Sequence, residues 1–525
     1  MATNGSPQGE GPRAHATFNY PTADIIICSS DNIHFRLHRN ILSIASDFFG
    51  DMLSLPQPDG ASGLPVIPVT EPSTVLECLF RLCYPIKDPP LLTVEQVRPT
   101  LEAAMKYQMG EATEIATAKL HALVSVAPLR VYAIAYQRSL DDVVRSAGQV
   151  VHKQNAQNTY VDELEEIPVS AYRRLLSYCE RAGPWNPLFG GTTLSQQFGL
   201  WLEPTTQILA SVPPPIIPPF PGQPAKIIVS PTFDPSNADL IIHTSDNVRL
   251  GVSQDILKLS SPVFAKELSK GGQTPRQTLL PVPESGKVML ALLHICYPIP
   301  SPSFATLDEI VNVLIAAEKY QMSKATWYLR GALAKLADSP SVDPLWLYLA
   351  ACRFGMQELA GIAARSTLRQ DLVVTSQSDI DLDKFGVSAG CFWRLLEYHR
   401  QCKAAVRGIV DGGDMAWISK EWHNRLKASC TRSSALATTC WLSHYLKAIA
   451  KEAWPRSSSA VSEKVLAEAM TGSASVGFAV NNPCSACTGR QGMLTIISFS
   501  KFVESVIEER EEKVILQWKK TALVV

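Results

Sequence analysis

Short apolar runs and polar turns near the start of the chain predict a β-hairpin. Residues 24–28 have the sequence Asp-Ile-Ile-Ile-Cys, and a Ser-Asp-Asn turn follows at residues 30–32. Apolar and polar side chains then alternate from Ile33 to Leu37. An apolar strand, a polar turn and a half-buried strand are typical of a hairpin. We expect a third strand at residues 65–69.

Apolar positions at helical spacing surround this third strand. The first set, which extends from Ile41 to Phe49, predicts a helix. A second set begins at Val75 and ends at Cys83, with the spacing of a helix that packs one face against a core. The next helix is predicted to open at Thr93 with a capping-box pattern and to end at Tyr107.

The same pattern recurs in the second half of the chain. The Ser-Asp-Asn turn returns 215 residues later, and two tetrapeptides, Cys-Tyr-Pro-Ile and Lys-Tyr-Gln-Met, each return 213 residues later. The tetrapeptides occur at residues 83–86, 106–109, 296–299 and 319–322. Repetition in the same order and with the same separation indicates a duplicated domain, a tandem repeat. The change in offset predicts a loop-length difference between Leu53 and Val69, where Pro, Gly and Ser are frequent.

These motifs resemble the BTB/POZ domain, and the Cys-Tyr-Pro element is similar to that of its fungal members. In the first copy the matching residues are Ala23, Asp24, His38, Leu42, Ser46, Phe49, Ala104, Lys106, Tyr107, Gln108 and Met109. In the second copy they are Ala238, Asp239, Leu257, Ser261, Phe264, Ala317, Lys319, Tyr320, Gln321 and Met322, with Ser253 in place of the histidine. The resemblance implies a helix-rich α/β (α+β) fold with two BTB/POZ-like domains, each a small sheet capped by helices. It also implies self-association or adaptor work without catalysis.

Similarity between the copies continues beyond each domain and resembles a BACK-like helical extension. The stretch that begins at Pro128 matches the one that begins at Pro344. The predicted segments are a disordered leader (1–21), BTB-like domain 1 (22–125), helical extension 1 (126–182), a Pro-rich linker (183–235), BTB-like domain 2 (236–340), helical extension 2 (341–402) and a mostly helical C-terminal region (403–525). Ten prolines from Pro204 to Pro235 favour an extended, semi-rigid linker.

Composition excludes several classes of function. The 525 residues include 48 Lys and Arg against 49 Asp and Glu, so the near-neutral chain has no electrostatic footprint for nucleic acid or anionic lipid. No apolar stretch approaches the length needed to cross a bilayer, and no signal peptide is recognisable. The 12 cysteines are irregularly spaced and often lie in apolar stretches, which indicates reduced thiols. We therefore expect a cytoplasmic or nuclear protein that binds neither nucleic acid nor membrane.

Three charged residues are candidates for a domain interface. Asp24 and Asp239 occupy equivalent positions in the two copies, and an acid at this position in relatives of the family contributes to a charged patch near the dimer interface. Arg39 could pair with an acid across such an interface, whereas Gln254 at the matching position could not. The alternative is that both acids cap the start of a strand. His38 is expected to make hydrogen bonds within its domain.

The C-terminal region contains one weak metal-binding pattern. Cys484 and Cys487 have the spacing of half a zinc knuckle, but a closed site needs four ligands. Sequence candidates that could complete it are Cys430, Cys440, His423 and His444. Ordinary thiols in a turn are the alternative that we favour, so we predict no metal, no cofactor and no catalytic residue. An amphipathic helix from Phe499 to Ile507 is expected to dock on the chain's own body or to receive a partner, with the following acidic run solvated.

These features predict an interaction scaffold or adaptor and not an enzyme. Two diverged copies joined by a linker suggest that the BTB-like domains pair within one chain as a pseudo-dimer, with homo-oligomerisation as the alternative. A second hypothesis is a substrate adaptor of a cullin-type ubiquitin ligase. Cullin-binding relatives often have an apolar-x-Glu motif after the Phe-containing helix. The first copy has no Glu there, and in the second copy Ala265 replaces the large apolar residue before Glu267.

Overall fold

The computed structural model divides into two compact units, each of which combines a small sheet with helices. The first unit contains the described residues up to 182 together with 388–390, and the second contains those from 233 to 387 and from 391 onward. The structure describes residues 13–55, 64–182, 233–270, 278–368, 370, 372, 382–410, 415–431, 441–451, 461–471 and 484–522. Within these ranges, no helix has the length and apolar character required to cross a membrane.

In the part of the first unit that the structure describes, four strands form a sheet in the order β1-β3-β2-β4. They are β1 (Arg13–Asn19), β2 (Ile25–Cys28), β3 (Ile33–Leu37) and β4 (Val66–Pro68). Strands β2 and β3 are antiparallel, whereas β1 and β4 run parallel to their neighbours β3 and β2. Asn32 adopts a left-handed conformation with φ 63° in the tight turn of the hairpin. The predicted hairpin and third strand are confirmed.

Strand β1 corrects the prediction of a disordered leader over residues 1–21. Phe18 in this strand is fully buried, and its ring meets the Tyr84 ring edge-on at 5.4 Å. The high content of Gly and Pro at the start of the segment favoured a prediction of disorder, although Phe18 is part of the core. Residues 1–12 of the predicted leader lie outside the described residues.

Five helices complete the first domain as far as its residues are described. They are α1 (Arg39–Ala45), α2 (Asp47–Ser54), α3 (Ser73–Cys83), α4 (Val94–Lys106) and α5 (Gly110–Ala122). The single helix expected from Ile41 to Phe49 is wrong, because Ser46 adopts an extended conformation with ψ 118° between α1 and α2. The Ser46 hydroxyl accepts a hydrogen bond from the Phe49 N–H at 3.0 Å and donates to the Tyr107 carbonyl at 2.5 Å. This buried hydroxyl caps α2 and joins it to the end of α4.

Three further helices follow in the region predicted as helical extension 1. They are α6 (Pro128–Gln137), α7 (Asp141–Gln154) and α8 (Val169–Ala182). The fully buried Tyr132 on α6 donates its hydroxyl to the Ala171 carbonyl on α8 at 2.9 Å. This hydrogen bond satisfies a polar group that burial would otherwise make costly.

The second unit repeats the order of elements of the first. A three-stranded sheet with the order β6-β5-β7 contains β5 (Leu240–His243), β6 (Arg249–Val252) and β7 (Thr278–Pro281). Its helices are α9 (Gln254–Ser260), α10 (Pro262–Lys270), α11 (Gly286–Cys296), α12 (Leu307–Lys319), α13 (Ser323–Lys335), α14 (Pro344–Arg353) and α15 (Gln357–Thr367). The Ser261 hydroxyl accepts from the Phe264 N–H and donates to the Tyr320 carbonyl, as Ser46 does in the first unit.

The capping boxes predicted at the two equivalent helix starts differ in detail. The Thr306 hydroxyl accepts from the Glu309 N–H at 3.3 Å, but the Glu309 side chain accepts from the N–H of Ala305 and not from that of Thr306. In the first copy Thr93 provides no side-chain cap to a backbone N–H, and Gln96 accepts from the Leu92 N–H at 3.0 Å. The carboxyl or amide three residues into the helix is therefore the shared capping group.

A short segment before β5 takes the place that β1 has in the first unit. Phe233 is buried, and its ring meets Tyr297 edge-on at 5.1 Å, the relation that Phe18 has to Tyr84. The Phe233 carbonyl accepts from the Gly251 N–H at 3.0 Å. The next residue, Asp234, lies so close to Gly251 that an added Cβ would meet its carbonyl oxygen at 2.3 Å. Most of the predicted linker over 183–235 lies outside the described residues.

The remaining helices build a separate hydrophobic cluster. They are α16 (Ala389–Val410), α17 (Lys420–Ala428), α18 (Leu442–Lys451), α19 (Glu463–Thr471), α20 (Ser485–Thr488) and α21 (Arg490–Ala522). The predicted boundary between residues 402 and 403 falls inside α16, because the end of this helix places Val406 and Ile409 in the cluster. We call this cluster the C-terminal core; its apolar members are Val406, Ile409, Ile418, Leu426, Trp441, Leu442, Tyr445, Leu446, Ala448, Ile449, Val465, Ala469, Ile496, Phe499, Val503 and Ile507.

The close approach at Gly251 predicts a specific loss of stability. We expect Gly251→Ala to lower the free energy of unfolding by about 1–3 kcal/mol, because backbone atoms of Asp234 must move to admit the methyl group. Gly331→Ala is the matched control in the same unit, since nothing lies within 4 Å of its Cβ position. In helix α13 that change should be neutral or stabilising. Chemical denaturation of the full chain measures both, and equal stabilities would contradict the packing argument.

The hydrogen bonds at the start of α3 predict that the stability of the fold depends on pH. Asp31 accepts hydrogen bonds from the Ser73 N–H at 2.8 Å and the Ser73 hydroxyl at 2.6 Å. Hydrogen bonds from the hydroxyls of Ser29 and Ser73 lower the pKa of Asp31 from 3.8 to about 2. A depressed folded-state pKa stabilises the fold above pH 3.8, and this contribution is lost as the pH falls towards 2.

Asp31→Ala should therefore cost about 1 kcal/mol of unfolding free energy at pH 7, and the cost should shrink between pH 4 and pH 2. Denaturation of variant and wild type at both ends of this range measures the difference. Asp88→Ala removes another exposed carboxylate of the same unit and should change stability by less than about 0.5 kcal/mol. A difference between Asp31→Ala and wild type that is the same at both pH values would disprove the carboxylate's role.

Candidate functional sites

The three charged residues singled out in the sequence make contacts within their own domains. Asp24 accepts from the Arg39 N–H at 2.7 Å, and Asp239 accepts from the Gln254 N–H at 3.0 Å through both carboxylate oxygens. Each acid therefore satisfies the first N–H of a helix, α1 or α9, and not that of a strand. The Arg39 guanidinium donates to the Leu53 carbonyl at 2.8 Å. Their part in an interface stays a prediction.

His38 makes hydrogen bonds within the first domain, as expected. Its Nε2 lies 2.8 Å from the Thr22 hydroxyl, and its backbone N–H donates to the Tyr84 hydroxyl at 2.9 Å. In the second copy the Ser253 N–H donates to the Tyr297 hydroxyl at 2.7 Å. The tyrosine of the Cys-Tyr-Pro element thus binds the backbone at the same place in both copies, whichever side chain stands there.

The Lys-Tyr-Gln-Met motif supplies a salt bridge and a hydrogen bond to one glutamate. In the first copy Lys106 Nζ lies 2.5 Å from Glu71 Oε1, and the Tyr107 hydroxyl donates to Oε2 of the same carboxylate. Burial alone would raise the pKa of Glu71, but the hydrogen bonds from Lys106 and Tyr107 outweigh it and lower this pKa. In the second copy Lys319 and Tyr320 bind Glu284 in the same way. The motif is therefore a structural element, and no catalytic role is needed to explain it.

Two large apolar side chains are exposed at equivalent positions of the two copies. Ile44 on α1 is 88% exposed, and Leu259 on α9, 215 residues later, is 89% exposed. A second pair, Val66 on β4 and Leu279 on β7, is about half exposed. The apolar set from Ile41 to Phe49 includes Ile44, so this pattern provided no sign of the exposure. On α1 it is Leu42 that faces the core, and Ile44, two positions later, lies on the opposite side of the helix.

The structure brings three cysteines together in the C-terminal core. The Sγ atoms of Cys430, Cys484 and Cys487 all lie within 4.8 Å of one another, and all three residues are buried. We call these residues the three-cysteine group. The Cys430 and Cys484 sulfurs are 3.8 Å apart, and Cys487 donates to the Ser429 carbonyl at 3.7 Å. Among the described residues, this is the one group with the spacing and donor types of a metal site.

The pKa of the Cys484 thiol is lowered to about 5, mainly by a hydrogen bond from the Thr431 side chain and further by hydrogen bonds from Cys487 and the Thr431 backbone, against the opposing effect of burial. Two of the other sequence candidates, His423 and His444, do not join the group in the described structure. Cys440 lies outside the described residues.

The amphipathic helix predicted at Phe499–Ile507 lies within α21 and packs on the chain itself. Phe499, Val503 and Ile507 are fully buried in the C-terminal core. The acidic run that follows is not entirely solvated, because Glu511 is buried. Arg510 donates to the Ala405 carbonyl on α16 at 3.0 Å. These contacts join the long helix to α16.

Comparison with known proteins identifies one family in the first unit. Residues 17–123 match the model of the BTB/POZ domain, from the end of β1 to the residue after α5. No curated protein matches the chain. BTB/POZ domains mediate protein–protein interaction and dimerisation. Residues 17–123 of this chain are a BTB/POZ domain.

Proposed function

We propose that this chain is a non-enzymatic interaction scaffold or adaptor with two BTB-like domains of fungal type. The family match over residues 17–123 supports protein binding by the first domain. For the second domain, the support is the repetition of buried contacts. Each copy has a serine between two helices, a tyrosine bound to the strand–helix junction and a glutamate bound by Lys and Tyr.

The single observation that carries the proposal is the exposure of Ile44 and Leu259. Isolated apolar side chains on a surface are common and need no explanation. Here, however, both copies expose one at the same position of the same helix, although the side chains around it have diverged. Burial of one such side chain on association contributes about 1.5–3 kcal/mol. These positions therefore favour a shared role in association.

We propose further that the two domains associate with each other within one chain. The two copies differ in sequence, and their presence in one chain gives each a high effective concentration for the other. Homo-oligomerisation through the same positions is the alternative. The interface candidates Asp24, Arg39 and Asp239 contribute to this surface by setting the starts of α1 and α9. The proposed location is cytoplasmic or nuclear, in keeping with cysteines that lie in apolar stretches.

A cullin adaptor is the second candidate function. Glu267 on α10 is exposed, as a cullin-binding residue must be, but Ala265 does not supply the expected large apolar side chain. A pull-down of the full chain with a cullin N-terminal domain distinguishes the two functions. Binding that Glu267→Ala abolishes would favour the adaptor of a ubiquitin ligase.

The proposed association surface, which includes Ile44 on α1 and Leu259 on α9, predicts a specific cross-link. The full chain should have the mass of a single chain by light scattering. A photoreactive residue at position 44 should then cross-link to the peptide 254–260 in a product of monomer mass. Leu259→Asp should lower the yield of this product about tenfold, because a charge replaces the apolar side chain that association would bury. The same probe at Leu92, which is 72% exposed, is the control and should not give this product.

A cross-linked product of dimer mass would favour homo-oligomerisation over pairing within one chain. So would a dimer in solution that both Ile44→Asp and Leu259→Asp dissociate. If the probe at position 44 reaches no protein at all, neither within the chain nor from a cell lysate, this surface has no role in association.

A further inference from the structure

The three-cysteine group is assembled from parts of the chain that are distant in sequence. Cys430 follows the end of α17, whereas Cys484 and Cys487 flank and lie within the single-turn helix α20, 54 residues later. Neither the BTB/POZ domain nor the proposed association surface includes any of them. We propose that Cys430, Cys484 and Cys487 bind a zinc ion that joins α17 to α20 and the start of α21.

The distances between the sulfur atoms fit this ion. Zinc binds thiolate sulfur at about 2.3 Å, so two sulfurs at corners of a tetrahedron are about 3.8 Å apart. The Sγ atoms of Cys430 and Cys484 are separated by 3.8 Å, and the third sulfur lies within 4.8 Å of both. The sulfur of Cys487 must come closer to the other two when the ion binds, wherever its separation exceeds this value. Three thiolates occupy three corners, and a water molecule or another donor occupies the fourth.

The chemistry of the donors excludes the hard metal ions that prefer oxygen ligands. Sulfur ligands select Zn²⁺ or other thiophilic ions, whereas Mg²⁺ and Ca²⁺ require oxygen. The group is buried among apolar side chains, and zinc in tetrahedral thiolate coordination has no redox chemistry to perform there.

Two other arrangements of these thiols make different predictions. A disulfide between Cys430 and Cys484 would join two sulfurs at about 2.05 Å and leave Cys487 without a part in it. Three reduced thiols could also pack as small apolar side chains in the C-terminal core. Neither arrangement binds a stoichiometric metal, so metal content separates them from the proposal.

The test is the zinc content of the full chain, expressed without a histidine tag and purified under reducing conditions without chelators. After incubation with excess zinc chloride and gel filtration, we expect about one zinc ion per chain. Cys430→Ser, Cys484→Ser and Cys487→Ser should each lower zinc affinity more than tenfold, because each removes one ligand. Cys179→Ser is the matched control, since Cys179 is a buried thiol on α8 and outside the group.

A second measurement on the wild type keeps the test decisive if a variant fails to fold. X-ray absorption at the zinc edge should report three sulfur neighbours at about 2.3 Å. Substitution by cobalt should give the charge-transfer absorption of thiolate ligands, and a chelator should make three more thiols reactive. Wild-type protein without stoichiometric zinc would overturn the proposal. So would zinc with fewer than three sulfur neighbours, zinc that all three Ser variants retain, or a Cys430–Cys484 disulfide in the metal-free chain.

Discussion

The buried serine hydroxyl between two short helices is the interaction on which the BTB/POZ domain depends, and the second unit repeats it. Ser46 and Ser261 are fully buried, and each uses its hydroxyl both to accept an N–H at the start of a helix and to donate to a carbonyl about 60 residues later. A buried hydroxyl with only one partner is costly, so the two hydrogen bonds form together. These hydrogen bonds join the end of α4 to the start of α2. The extended conformation of Ser46 separates α1 from α2.

The buried face continues across this break. Leu42 on α1 and Phe49 and Leu53 on α2 are buried at helical spacing, with Ser46 between them. Ile44 lies two positions after Leu42, which places it on the opposite side of α1, and it is 88% exposed. The second copy repeats both features with Leu257 and Leu259.

The C-terminal core depends on a different kind of interaction. Its helices are short, apart from α16 and α21, and ring contacts of Trp417, Trp422 and Trp441 with Phe499 assemble much of the interior. The three-cysteine group lies at the end of this cluster where α17 and α20 meet α21. A metal there would cross-link segments that are far apart in sequence, and metal binding of this kind adds directly to folding free energy.

The sequence by itself determined the hairpin, the third strand and the main helices, because these depend on the local period of apolar residues. It revealed two tetrapeptides that recur in the same order. It also indicated that His38 makes hydrogen bonds within its domain. Only the tertiary structure decided that β1 belongs to the sheet, that Ser46 separates two helices and that Glu511 is buried. It alone brought Cys430 to the Cys-x-x-Cys pair, whereas His423 and His444, the other candidates among the described residues, do not join it. Those outcomes depend on packing and hydrogen bonds between side chains that are distant in sequence. No local pattern of residues encodes which of these side chains meet in a core.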